Sequence, residues 1–96
     1  MNLHIVALFR FKEIYLMEAI ELFKKLVSET RKKEGCLQYD LIEDHENKGV
    51  FLLIERWETR EHHHQNSGAD HLLDFKKQSR TMLEETIQVY KGAKIF

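Results

Sequence analysis

The stretch Gly35-Cys36-Leu37-Gln38-Tyr39-Asp40-Leu41, followed by Val50-Phe51-Leu52-Leu53-Ile54-Glu55-Arg56-Trp57-Glu58, decides the fold. It reads as a hairpin whose second strand is apolar on both faces. Residues 50–54 carry no polar side chain, and neither do Ile5-Val6-Ala7-Leu8-Phe9 near the start. Strands have this composition when neither side meets water. Each face of the sheet they build therefore needs a cover.

Working outward from the hairpin, residues 3–11 place Leu3, Ile5, Ala7, Phe9 and Phe11 on one face and His4, Val6, Leu8 and Arg10 on the other, which predicts a first strand. From Glu13 the period changes: Leu16, Ala19, Ile20, Phe23, Leu26, Val27 and Thr30 recur at helical spacing opposite a charged face. Arg31-Lys32-Lys33 suits the negative end of that helix dipole, and Gly35 can take a left-handed cap. The next strand alternates Leu37, Tyr39 and Leu41 against Gln38 and Asp40, and the polar loop Asp44–Gly49 returns the chain. Thr59 predicts a cap for a short helix through about His64. Ser67 and Asp70 have capping-box spacing for a further helix with Leu72, Phe75, Ser79, Met82 and Leu83 on one face. A last strand is expected over residues 86–91.

The order β-α-β-β-α-β is that of the α+β ferredoxin-like fold, an antiparallel sheet with strand order 4-1-3-2. The two strands that read as dry then lie in the middle. Two helices cover one sheet face only, so the other face points to a homodimer packed sheet on sheet about a two-fold axis. The competing reading is that Arg10, Gln38, Asp40 and Arg56 make that face polar enough for a monomer.

Ninety-six residues suit a single domain, 1–96, with one core. Hydrophobic residues at 43% and charged residues at 32% describe an ordinary globular chain. Fifteen basic against 16 acidic residues leave no electrostatic footprint for nucleic acid. No apolar run approaches the roughly 20 residues that span a bilayer, so no membrane partner is expected. One cysteine, Cys36, permits no internal disulfide, and Met1 leads directly into strand-like sequence; a cytoplasmic location is the expectation. Cys36 itself reads as a small buried hydrophobe.

Three blocks carry a family resemblance: Glu34-Gly35-Cys36-Leu37-Gln38-Tyr39; then Phe51 through Glu61 with its Glu55-Arg56-Trp57-Glu58 core; then Ser67 with Asp70-His71 and Phe75. Together they resemble the antibiotic biosynthesis monooxygenase (ABM) domain, including small quinol-monooxygenase-like proteins, over nearly the whole chain. The resemblance implies a ferredoxin-like dimer of the dimeric α/β barrel type whose oxygenases commonly work without metal or flavin, so no cofactor is expected. The chain departs from the family at two places. Asn66 stands where a His is frequent, and Asp70-His71-Leu72 replaces a usual Pro-His-Phe triplet. Haem-degrading relatives carry an Asn inside the first strand, whereas Asn2 lies at its edge here.

An electron-rich phenolate or hydroquinone anion can pass an electron to triplet oxygen, so such chemistry needs a base, a dry aromatic cavity and a seat for an oxyanion. Histidine suits the first need, which nominates His64 and His71 as catalytic together with Asn66. Phe9, Tyr39, Leu53, Trp57 and Phe75 are candidate substrate-binding walls, and Arg56 or Asn66 a candidate oxyanion partner. Trp57 also suits a core or dimer-interface position, and His71 either faces the cavity or completes local packing. His62-His63-His64 makes a poor metal site, because consecutive helical residues point about 100° apart. The function expected is a cofactor-independent monooxygenase acting with O2 on a quinol-like or polyphenolic small aromatic molecule. The alternatives are a non-catalytic dimeric small-ligand-binding module and an isomerase of a small phosphorylated dione.

Overall fold

Four strands, Leu3–Arg10 (β1), Cys36–Glu43 (β2), Val50–Trp57 (β3) and Gln88–Gly92 (β4), form one antiparallel sheet in the order β2-β3-β1-β4, in a computed structural model that describes residues 1–96. Read from the other edge this is the expected 4-1-3-2 arrangement, and the fold is α+β and ferredoxin-like. Three helices, Leu16–Arg31 (α1), Arg60–Ser67 (α2) and Asp70–Ser79 (α3), complete it. None is long and apolar enough to cross a membrane.

The sheet faces follow from strand parity. Ile5, Ala7 and Phe9 of β1 and Phe51, Leu53, Glu55 and Trp57 of β3 point toward the helices and are buried. α1 lays Ala19, Phe23, Leu26 and Thr30 on them, each at most 1% exposed. The opposite face carries Val6, Leu8, Leu52, Ile54 and Ile42 in adjacent register, with Tyr90 at the edge. In the single chain Val6, Ile42 and Tyr90 are exposed and the others only half-buried.

Several local expectations need correction. Phe11 leaves β1 and makes one isolated bridge to Leu83. The turn Glu13–Tyr15 is 3-10, and α1 starts only at Leu16. Ile20, placed on the dry stripe, is 45% exposed. A bulge between Cys36 and Gln38 puts Leu37 outside the ladder and half in solvent, so Cys36 rather than Leu37 packs against the core. The capping box at Ser67 does not form: Ala69 holds the N-cap of α3, and the Ser67 hydroxyl donates to the His63 carbonyl at 3.1 Å. α3 stops at Ser79, a 3-10 turn follows over Arg80–Met82, and the last strand is Gln88–Gly92.

Thr59 does cap α2, its hydroxyl accepting from the His62 amide at 3.1 Å. Gly35 takes φ +81°, and a Cβ there would overlap the His62 side chain. Gly35→Ala is therefore expected to cost about 1–3 kcal/mol from backbone strain, with displacement of α2 on top. Chemical denaturation reads the loss as a lower midpoint.

Candidate functional site

Between the sheet and the two shorter helices lies a pocket of about 160 Å³. Its apolar wall comes from Phe9 and Leu53 on the sheet, Leu26 on α1, and Leu72 and Phe75 on α3. Into it converge the carboxylate of Glu55, the imidazole of His63, the amide of Asn66 and the ammonium of Lys91, with Tyr39 beside Glu55 on the neighbouring strand.

Glu55 is 7% exposed. Its Oε1 accepts from Trp57 Nε1 at 2.9 Å, a bond that exists because residues two apart on β3 share a face. Burial pushes its carboxyl above the usual glutamate range, an effect that the Trp57 N–H and the Lys91 charge reduce. Tyr39 is raised as well, by burial and then by the charge of Glu55. His63 packs edge-on to the Trp57 indole at 5.8 Å between centroids. Burial first, and Lys91 second, lower its pKa, so the imidazole is neutral at pH 7. Asn66 is 3% exposed, and its Oδ1 has no hydrogen-bond partner in the protein. An unpaired buried acceptor is costly, of order 1–3 kcal/mol, unless a ligand or water supplies the donor.

Of the residues nominated from sequence, Phe9, Tyr39, Leu53, Phe75 and Asn66 meet in this pocket. Trp57 is fully buried behind it and touches it through Glu55 and His63. Arg56 does not: between Glu55 and Trp57 it must project from the other sheet face, opposite His4 and Gln38. His64 is exposed and lines only the wider cleft outside. His71 is hydrogen-bonded through Nε2 to Thr30 Oγ1 at 3.1 Å and borders a surface depression with Lys33 and Glu29. Burial and then Lys33 lower its pKa. Glu55, His63 and Lys91 were missed, although parity with Leu53 and Trp57 was a readable signal for Glu55. No group of three or more His, Cys, Asp or Glu side chains is placed to hold a metal ion.

The family model for antibiotic biosynthesis monooxygenase matches residues 2–78. The chain belongs to this family. The match thus takes in β1, α1, the hairpin, α2, all of α3 but its last residue, and every pocket residue from Ile5 to Lys76. A curated relative, the uncharacterized protein YjcS of Bacillus subtilis (strain 168), is 33% identical over 69 residues, which is 72% of this chain and 66% of that protein, just under two thirds of its length. Among solved structures, a conserved protein from Methanosarcina mazei Go1 superposes with TM-score 0.92 at 25% identity, over 97% of this chain and 92% of its own. Rv0793 from Mycobacterium tuberculosis gives 0.93 at 24% identity, over 100% and 97%. A crystal structure described as an antibiotic biosynthesis monooxygenase gives 0.93 at 24%, over 97% and 98%. Those under 25% identity establish the common ABM fold.

Proposed function

We propose that this ABM protein is a cofactor-independent monooxygenase that oxidises a small quinol-like or phenolic molecule with O2 in the Glu55 pocket. The observation carrying the reading is a buried carboxylate with one oxygen held by Trp57, facing an aromatic pocket beside the unpaired acceptor of Asn66. A substrate hydroxyl donates to these acceptors, and Glu55 takes its proton. Raising the carboxyl's pKa narrows the gap to a phenol and makes the transfer less uphill. The electron-rich anion passes one electron to O2. The radical pair combines at a ring carbon bearing hydrogen, giving a hydroperoxide. Loss of water leaves a carbonyl, so one oxygen atom stays in the product, the other leaves as water, and the substrate supplies all the electrons. Lys91 and Lys76 are the cations on the lining that can balance the anion, and His63 beside them can relay a proton.

Oxygen uptake with a panel of reduced quinones in metal-free buffer tests this. The expected result is turnover above autoxidation that falls on Asn66→Ala and is unchanged by His64→Ala. Uptake no faster than the protein-free control, across the panel, leaves the small-ligand-binding module as the reading that survives.

We further infer that the working unit is a homodimer joined through the outer sheet face. Leu52 lies there with Leu8 and Ile42 as register neighbours, an unbroken apolar row. Sedimentation at micromolar protein is expected to show two subunits. Leu52→Glu, which sets two like charges near the two-fold axis in an apolar contact, should shift the species to a folded monomer. A monomeric parent protein would remove this assembly without touching the pocket chemistry.

A further inference from the structure

The Glu55 pocket does not end at its rim. Three of its residues, His63, Ser67 and Lys91, also line an open cleft of about 690 Å³, so the two spaces share a wall and form an inner chamber with a vestibule. Their chemistry differs. The vestibule presents Arg60 from the first turn of α2, His64 from its last turn, and Lys91 from β4, and no carboxylate borders it. Neither Arg60 nor Lys91 takes part in an ion pair, whereas the other arginines with a nearby acid, Arg10 and Arg31, are paired to Glu85 and Asp40. The chain as a whole has a formal net charge of −1, so this positive mouth is a local feature and not an overflow of general basicity.

The inner chamber also sets a size. At about 160 Å³ it is close to the roughly 150 Å³ cavity that holds one benzene ring, and well below the roughly 300–1,000 Å³ of sites for drug-sized ligands. A chamber of this size matches one ring, and a second fused ring would have to press on the Phe9 and Phe75 walls or extend out into the vestibule. The chamber's lining includes two acceptor-bearing side chains, Glu55, with one oxygen not engaged by Trp57, and Asn66, 3% exposed, whose Oδ1 has no partner.

We propose that one ligand occupies both spaces: a single aromatic ring whose hydroxyl donates to Asn66 and Glu55 in the chamber, and whose anionic substituent is held by Arg60 and Lys91 in the vestibule. This rests on the Glu55 pocket being the substrate site, and it narrows the substrate to acidic, monocyclic hydroxylated aromatics. A carboxylate and a phosphate ester share the required chemistry. The placement also orders the site by charge. Anion and cation meet at the wet end, while the reacting ring sits at the dry end, where Glu55 can draw a proton without competition from water.

Binding is measured without oxygen, so that it is independent of turnover, using the quenching of the only tryptophan, Trp57, whose indole touches both Glu55 and His63. The probes are gentisate, which is a hydroquinone ring bearing one carboxylate, neutral methylhydroquinone, benzoate, and dihydroxynaphthoate with two fused rings. Gentisate is expected to bind at least about tenfold more tightly than each of the others, with an affinity that weakens as salt is raised. Arg60→Gln, at an exposed position that lines the vestibule alone, should weaken gentisate severalfold and leave methylhydroquinone unchanged, and Lys91→Gln, on the wall shared by both spaces, should weaken gentisate more than methylhydroquinone. Competition by inorganic phosphate more than by acetate marks a phosphate seat; the reverse marks a carboxylate seat. Equal affinity for gentisate and methylhydroquinone, or no response to either substitution, overturns the vestibule's role. Tighter binding of dihydroxynaphthoate overturns the single-ring limit. Gentisate binding without oxygen uptake would instead sink the oxygenase reading and leave this one standing.

Discussion

Replacing Glu55 with glutamine is expected to lower quinol turnover by about 10²–10⁴-fold while making the folded chain more stable at neutral pH. The substitution keeps the side-chain volume and an oxygen to accept from Trp57 Nε1, so the bond seen at 2.9 Å can persist. What it removes is the buried charge, and with it the proton acceptor. The two effects have opposite signs because burial, the first cause of the shift, holds the Glu55 carboxyl above its ordinary value of 4.5. A carboxyl raised in the folded state binds more protons there than in the unfolded chain. Its contribution to stability is therefore fully present below the unfolded value and is lost as pH rises through the folded one. The variant's thermal advantage should be smallest at about pH 4 and larger at about pH 8, because rising pH makes the parent hold an ionised group in a largely dry site. Paired melting curves at those pH values, set beside single-turnover rates, measure both halves. A variant that keeps full turnover would transfer the base role to His63, the neutral imidazole on the same wall.

Glu55 also shows what could and could not be read from the chain. The architecture was legible because it depends on period. Apolar runs on β1 and β3, one helical stripe and a glycine forced to positive φ specify strand order and faces without distances. Parity was just as legible: residues 53, 55 and 57 of a strand share a face, so Arg56 had to leave any cavity built on Leu53 and Trp57. The histidines were a different matter. A three-residue run on a helix offers three directions, and only contact with Trp57 singles out His63 over His64. His71 is fixed by Thr30, 41 residues away, a partner that no local pattern announces. Lys91 reaches the pocket only because β4 pairs beside β1 with Lys91 opposite Ile5, a register set by tertiary packing. The bulge at Leu37 is likewise invisible to an alternation rule, because one extra residue reverses the faces assigned before it.

The largest expected effect on stability belongs to Phe23, which stands behind the pocket. It is wholly buried and its ring meets Phe9 at 5.1 Å, Phe11 at 5.5 Å, Phe51 at 5.2 Å and Phe75 at 5.0 Å, which joins α1 to β1, β3 and α3. Phe23→Ala removes all four aromatic contacts and leaves a cavity that a β-sheet cannot collapse to fill, costing about 3–5 kcal/mol. For a chain of this size that corresponds to a fall of roughly 15–30 °C in Tm, a large part of the whole stability of a typical domain. Phe23→Leu keeps most of the volume and should cost about half as much. Its second consequence concerns selectivity. Phe9 and Phe75 are pocket walls braced from behind by Phe23, so a smaller brace lets them retreat and lengthens the chamber. The Leu variant is thus expected to bind dihydroxynaphthoate more tightly relative to gentisate than the parent does, while Arg60 still senses the carboxylate. Unchanged selectivity in a folded Phe23→Leu protein would mean that the sheet, and not the aromatic cluster, sets the depth of the pocket.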